Sequence, residues 1–367
     1  MVEPQDACRT SDFEYDLPPE LIAQFPPAQR GESRLLIVNR ESAIGSRETG
    51  IGDRHPPIVG RPSGIRDAMF AELPALMSPG DLLVVNTTKV RHARLIGRGA
   101  SGRDVEVLLI HPESDGTWIA MGKPGSALRP GKRVMLDRDH AIETVAILPD
   151  GNRRVRFLGG SADEAMARHG RVPLPPYIER DPVRDDALRY QTVYAERAAS
   201  VAAPTAGLHF TTALLDAIRE RGVRVVPLEL EVGPGTFKPV EAPDYRDHPM
   251  HAERFHIPEA TAAAIREAHR NGAAVWAVGT TVVRALESGA DSPGVVRPGP
   301  GETRLMIAPG YEFRVVTRLL TNFHLPRSTL LMLVAAFAGY ELTMLAYRHA
   351  IAARYRFYSY GDAMVVI

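Results

Sequence analysis

The sequence predicts an α/β protein that carries a small all-β, barrel-like segment, and two observations predict it. Between Gly80 and Gly160 the short β-type runs DLLVVN, ARLIGR, VEVLLI, TWIAM, KRVML, ETVAIL and RRVRFL succeed one another between turns rich in Gly and Pro. That spacing is typical of a small barrel or sandwich. Further along, helix and strand patterns alternate, the order that builds a layered α/β domain with parallel strands. At 367 residues, 44% hydrophobic and 24% charged, the chain can fill two domains with a sizeable core.

The elements follow in order. Residues 1–12 read as a loose N-terminal tail, and residues 41–68, crowded with Gly, Pro, Ser and charge, as a surface insert. Within 80–160, Lys89, Arg91, Arg94, Arg98, Arg103, Arg153, Arg154 and Arg156 give a modest basic excess. Such an excess contacts a few phosphates or is simply a solvated surface, and the residues alone do not choose. Thr212 is expected to cap ALLDAIRERG, whose Ala213, Leu214, Leu215 and Ile218 share a face; Gly222 ends it and VRVVPLELEV follows as a strand. PEATAAAIREAHRNG reads as a helix ending at Gly272, AAVWAVG as a buried strand, and TTVVRALESG as a helix capped by Thr280 or Thr281. The closing run YRFYSYGDAMVVI ends in an apolar stretch expected to be tied into the core.

Charge and cysteine content exclude several classes. Lys plus Arg and Asp plus Glu both number 44, so a protein that coats long stretches of nucleic acid is disfavoured. The single cysteine, Cys8, forms no internal disulfide and no cysteine zinc site, which fits a reducing compartment. The N-terminus lacks a basic-then-apolar signal pattern, and the apolar run Leu330–Ala338 is about half of a bilayer crossing. A soluble, cytoplasmic, monomeric chain with no membrane contact is expected.

Five segments invite chemistry. In AVWAVGTTVVRAL a buried strand, a Gly and two Thr precede a helix, the arrangement of a ligand site at a strand's carboxyl end. VGPGTFKPV sets Gly233 and Gly235 around a Pro; it is neither a dinucleotide fingerprint nor a P-loop. APTAGLHFT places Thr205, Gly207 and His209 in one short loop, and DHPMHAERFHI holds His248, His251, Glu253 and His256 without an HExxH spacing. In TNFHLPRSTLLMLVAAFAG, polar residues precede an apolar helix whose start has free N–H groups. The buried tail then acts as a mount that aims Asn322, His324 and Arg327 into a cleft, with Ser328 beside them.

In register, these segments resemble one family. DFEYDLPPELIAQFP with SRLL, GDLLVVNTTKV, VPLPPYI, YQTVYA, VAAPTAGLHFT, VGPGTFKPV, DHPMHAE, VGTTVVRALES, TNFHLPRSTL and YRFYSYGDAM together look like the S-adenosylmethionine:tRNA ribosyltransferase-isomerases of queuosine biosynthesis. The resemblance runs from about Asp12 to the C-terminus, apart from the insert. It implies an α/β catalytic domain built from residues 13–79 and 161–367, with 80–160 inserted as the barrel-like domain. It also implies transfer and isomerisation of the ribosyl group of S-adenosylmethionine onto 7-aminomethyl-7-deazaguanine at the tRNA wobble position. The products would be epoxyqueuosine-tRNA, adenine and methionine. S-adenosylmethionine is then a consumed co-substrate, and neither a further cofactor nor a metal is expected.

Carried over by motif, His209 and His251 are the acid–base candidates, with Glu253 as their partner. Thr205, Gly207, Gly233, Gly235, Thr236, Thr280, Thr281 and Arg284, with Asn322, His324, Arg327 and Ser328, shape the S-adenosylmethionine site. Asn86, Lys89, Arg94, Tyr177 and Arg180 face the tRNA. The chain departs from the family where Asn-Asp-Thr-Arg is common and it has Asn86, Thr87, Thr88 and Lys89, losing a bidentate fork. It departs again where Glu231 replaces a common His. Two rivals remain at this level: a metal-dependent hydrolase using His209, His248, His251, His256 or His324, and a tRNA-binding module without activity.

Overall fold

A computed structural model describes residues 9–40, 64–237 and 239–367. Among them, nine strands form one mixed sheet in the spatial order Gly299–Thr303, Glu253–Ile257, Arg224–Leu230, Leu82–Asn86, Val275–Val278, Arg318–Asn322, Ala363–Val366, Arg34–Val38 and Ile65–Met69. The four strands from Arg224–Leu230 to Arg318–Asn322 run parallel to one another. Ala363–Val366 is antiparallel to the last of these and parallel to Arg34–Val38. The two ends of the chain therefore meet in one sheet.

Alternation along each strand divides the core into two faces. Leu36, Val38, Leu82, Val84, Val275, Ala277 and Leu319 point to the larger face, which buries the helices Glu259–Arg270, Thr280–Gly289, Thr329–Ala338 and Tyr340–Ala352. Leu35, Ile37, Leu83, Val85, Trp276, Val278 and Leu320 point to the other, against the helix Thr212–Glu220. Strands covered on both faces need apolar side chains at every position, which is why LLVV and VWAV read as unbroken runs.

The second unit is a closed barrel of Arg153–Leu158, Trp118–Lys123, Asp104–Pro112, Arg94–Arg98, Arg133–Met135 and Ala141–Ile147. Its centre is filled by Leu95, Val107, Leu109, Val134, Ile142 and Val155. The chain leaves the main sheet through Thr88–Val90, which pairs with Arg197–Ser200. It returns through the helix Ala162–His169, which lays Ala162 and Met166 on the barrel.

Several expectations need correction. The barrel begins at Arg94, not at Gly80: DLLVVN is a central strand of the main sheet, recruited by parallel neighbours on both sides. Ile65–Met69 is an edge strand on Arg34–Val38, so the surface insert ends before it; residues 41–63 lie outside the described residues. Thr10–Phe13 form a 3-10 turn with Thr10 and Phe13 buried, so this part of the tail is packed, and residues 1–8 are outside the description. The cap of ALLDAIRERG is Thr211, whose Oγ1 accepts from the Leu214 N–H at 3.1 Å. The Thr280–Gly289 helix has Gly279 at its N-cap and no side-chain cap.

Among the described residues no single helix is long and apolar enough to cross a membrane. The two apolar helices that follow Ser328 bend by 115° at Gly339, whose φ of 90° suits glycine, and both pack into the larger core.

Candidate active site

The parallel strands deliver their carboxyl ends to one edge of the sheet, where ligands bind in open α/β folds. A cavity opens there, between Val232 beyond Arg224–Leu230, Gly279–Thr281 beyond Val275–Val278, and Thr321–His324 at the end of Arg318–Asn322. Tyr177 and Tyr358, with ring centroids 4.6 Å apart, add an aromatic wall.

The start of the Thr280–Gly289 helix is the most polar part of this wall. Gly279 holds φ 93°, a conformation side chains resist, and so brings the backbone to the cavity. The N–H groups of Thr280 and Thr281 have no intrahelical acceptor, and no side chain caps the helix, whereas those of Val282 and Val283 donate to the Gly279 carbonyl. Thr281 Oγ1 is buried without a partner. An anionic or hydroxyl-rich ligand fits such an end.

Asn322 faces this helix start, and its orientation is over-determined. Its Nδ2 donates to His209 Nε2 at 3.1 Å and to the carbonyls of Tyr358 at 3.2 Å and Asp362 at 3.5 Å. Three acceptors on one side fix the amide and leave Oδ1, buried and unpartnered, as an acceptor. His209 stands behind Asn322 rather than in the cavity wall, with Nδ1 2.8 Å from Ser33 Oγ. Burial, then the Arg356 and Arg30 charges, lowers its pKa to about 3. The ring is neutral: Nε2 accepts from Asn322, and Nδ1–H donates to Ser33.

His324 lines the cavity, pairs through Nε2 with Thr321 Oγ1 at 2.7 Å, and is lowered by burial to about 3. Two imidazoles held this far below neutrality are weak bases, so His209 as catalytic acid or base is not what the geometry supports. Ser328 lines the cavity while capping the Thr329–Ala338 helix, its Oγ accepting from Leu331 N–H at 3.2 Å. Arg327 does not point into the cleft. It has a left-handed backbone (φ 53°) and lies half exposed, with Nε 2.8 Å from Glu14.

The turn after Arg224–Leu230 forms the far rim. Glu253 and Arg284 are a buried ion pair, with Arg284 Nη1 donating to Glu253 Oε2 and Arg284 Nε to the Leu305 carbonyl at 3.1 Å. Glu253 also accepts from the Gly233 N–H at 3.4 Å, so it braces the turn rather than serving His251. Exposed His251 rests on Gly235, where a Cβ would come 2.6 Å from its Cδ2. Gly233 has open space around its Cα, and Thr236 lies in the 3-10 turn Pro234–Phe237. Thr205 lines the cavity; Gly207 packs behind it, where any side chain would collide with Tyr194 and Thr192.

The five tRNA-side candidates separate. Lys89 is exposed and lines a groove between the barrel, the Ala162–His169 helix and the connecting strands Thr88–Val90 and Arg197–Ser200, with Arg91, His92, Arg156 and Trp118. Arg91 lies 5.3 Å over the Trp118 ring. Asn86 is fully buried and ties strands together, donating to the Leu230 carbonyl at 3.0 Å and accepting its N–H at 3.1 Å. Arg94 is spent on Glu106 at 2.8 Å, and Arg180 on Asp186 at 2.6 and 2.8 Å, so none of these three is a free surface contact. Tyr177 belongs to the cavity, its hydroxyl 2.5 Å from Ser359 Oγ. Glu231 lies outside the cavity wall, 3.3 Å from Arg197 Nη2.

The sequence pointed to neither Ser33 nor Ser359, while in the closing run it offered Arg356 and Tyr358 either as a base-stacking pair or as amphipathic packing. SRLL and YRFYSYGDAM contain them, but only folding brings these distant segments together. Among the described residues, no three of His209, His248, His251, His256 and His324 form a metal-binding group.

An uncapped helix start and a fixed amide in one cavity at the carboxyl ends of parallel strands are the features of an α/β protein that binds a small polar ligand. The comparisons make the class specific. The family described as queuosine biosynthesis protein matches residues 10–366. An S-adenosylmethionine:tRNA ribosyltransferase-isomerase of Thiobacillus denitrificans is 48% identical over 97% of this chain and 96% of its own. Its namesake in Natranaerobius thermophilus is 45% identical over 98% and 99%. The crystal structure of S-adenosylmethionine tRNA ribosyltransferase from Thermotoga maritima covers 97% of this chain and 100% of its own, at TM-score 0.53 and 33% identity. The chain belongs to the S-adenosylmethionine:tRNA ribosyltransferase-isomerase family, enzymes of queuosine biosynthesis.

Proposed function

We propose that this chain transfers and isomerises the ribosyl group of S-adenosylmethionine onto 7-aminomethyl-7-deazaguanine at the tRNA wobble position, yielding epoxyqueuosine-tRNA, adenine and methionine. S-adenosylmethionine is consumed as co-substrate, no other cofactor takes part, and the enzyme works as a cytoplasmic monomer. The observation that carries this reading is the pair of unmade hydrogen bonds in the cavity, Thr281 Oγ1 and Asn322 Oδ1, beside the free N–H groups of the Thr280–Gly289 helix. A zwitterionic amino acid joined to a nucleoside supplies carboxylate oxygens for the N–H groups and N–H donors for Asn322. Tyr177 and Tyr358 offer ring faces to a purine.

The sulfonium acidifies the neighbouring 5′ carbon, so a base removes a proton there. The electron pair left at C5′ breaks the C4′–O4′ bond, and the freed oxygen becomes the C1′ aldehyde as adenine departs and takes up the proton. The aminomethyl nitrogen adds at C4′ and loses a proton, C5′ closes onto C1′, and the resulting alkoxide displaces methionine from C5′ to form the epoxide. Neither His209 nor His251 lines the cavity, and His209 and His324 are too weakly basic, so we assign His251, exposed on the Gly235 turn, as the base; His209 and Ser33 hold Asn322 in position. The tRNA backbone lies along the groove of Lys89 and Arg91, Arg156 being paired with Glu143 at 2.6 Å, and its wobble nucleotide leaves the stack to reach the cavity.

Purified enzyme mixed with S-adenosylmethionine and tRNA bearing the aminomethyl base tests this. Adenine and methionine in equal amounts, with the epoxycyclopentyl nucleoside in the digested tRNA, are expected. His251→Ala should bind S-adenosylmethionine and release no adenine. Binding of both substrates by the parent protein without adenine release would replace this reading with a tRNA-binding module.

A further inference from the structure

A second polar cluster lies in the barrel, among residues that line neither the cavity nor the groove. Asp137 and His140 sit in the turn between the barrel strands Arg133–Met135 and Ala141–Ile147, and His169 ends the helix Ala162–His169. Asp137 Oδ2 is 2.9 Å from both His140 Nδ1 and His169 Nε2. The three donor atoms lie within 4.8 Å of one another. Asp137 Oδ1 accepts from the N–H groups of Asp139 at 2.8 Å and His140 at 2.7 Å and also lies 2.9 Å from His140 Nδ1, so the turn holds the carboxylate against the imidazoles.

We propose that Asp137, His140 and His169 form a binding site for a divalent transition-metal ion, zinc being the natural occupant of a two-imidazole, one-carboxylate set. Hard cations such as magnesium prefer oxygen donors, whereas imidazole nitrogen suits zinc, cobalt or nickel. Ligand atoms about 2.0–2.2 Å from a tetrahedral ion are roughly 3.3 Å apart. The present 2.9 Å spacings therefore need to open by only a few tenths of an ångström. Glu164 on the same helix is engaged in the capping box, its Oε2 accepting from the Ser161 N–H at 2.8 Å, so the three donor atoms stand on their own. Half-exposed His169 and exposed Asp137 leave the remaining coordination position to water.

The ion joins the last turn of Ala162–His169 to the barrel. Ala162, Asp163 and Met166 of the same helix line the groove with Lys89 and Arg91. The site is thus a clamp on the groove wall and takes no part in the chemistry at the cavity; its link to tRNA rests on the proposed function, but the metal site itself does not.

Full-length protein stripped with a chelator would be titrated with zinc chloride by calorimetry and with cobalt chloride by visible absorption. One equivalent, a tetrahedral cobalt spectrum and a higher unfolding temperature with zinc are expected. His169→Ala and Asp137→Asn should each weaken zinc binding at least tenfold and abolish the thermal shift while keeping S-adenosylmethionine binding. Zinc bound as well by both variants, or no stoichiometric binding by the parent, overturns the site. Neither result bears on turnover, which is read separately.

Discussion

Thr281→Val leaves the protein at least as stable as its parent and weakens S-adenosylmethionine binding about tenfold. The two halves have one cause. Thr281 Oγ1 is buried and bonded to nothing in the ligand-free protein. A buried hydroxyl without a partner costs about 1–3 kcal/mol, and Val has nearly the same shape, so its removal relieves a penalty without opening a void. If the ligand supplies the missing partner, the same change removes one net hydrogen bond of about 1.4 kcal/mol, or tenfold in affinity. Thermal unfolding and equilibrium binding on the same preparations check the pair. Lowered stability with unchanged affinity would make Thr281 a packing residue.

Acid weakens this fold steeply between pH 6.5 and about pH 4, before most carboxylates titrate. His209 and His324 are neutral in the native state because burial lowers both to about 3, while unfolding returns them to about 6.5. Between those values the unfolded chain binds protons that the native one refuses, so stability falls as pH falls. It is complete above the unfolded pKa and stops changing from this source below about 3. From pH 7 to pH 5 each histidine removes about 2 kcal/mol, on the order of 4 kcal/mol together. Denaturant unfolding at pH 7, 6 and 5 measures it. A flat profile over this window would mean that neither ring is neutral through burial.

Much of the architecture was legible because burial leaves a pattern. VWAV and VRVVPLEL read correctly as strands, and the run after Ser328 as a core helix with Ser328 at its start. Local reading failed where tertiary context decided. DLLVVN has the same composition as a barrel strand, and only its parallel partners show that it belongs to the main sheet. TTVVRALESG offered two threonines as caps, but Gly279 takes that place through its positive φ, which frees Thr281 for the cavity.

The site divides the same way. Residues at or just beyond the carboxyl ends of parallel strands, Thr280, Thr281, Asn322 and His324, line the cavity. Charged residues were legible as charged but not as engaged: Arg180 is spent on Asp186, Arg94 on Glu106, Arg327 on Glu14. A sequence displays a guanidinium and conceals its counter-ion. Ser33 was invisible for a related reason, since 176 positions separate it from His209, whose Nδ1 it meets.

The central claim is that S-adenosylmethionine occupies the cavity at the carboxyl ends of the parallel strands. A crystal structure with a non-reactive sulfonium-free analogue of S-adenosylmethionine tests it most directly. The account predicts the analogue in that cavity, hydrogen-bonded to the Thr280–Thr281 helix start and to Asn322 Oδ1, against Tyr177 and Tyr358. An analogue found in the groove of Lys89 and Arg91, with the cavity empty, would contradict it.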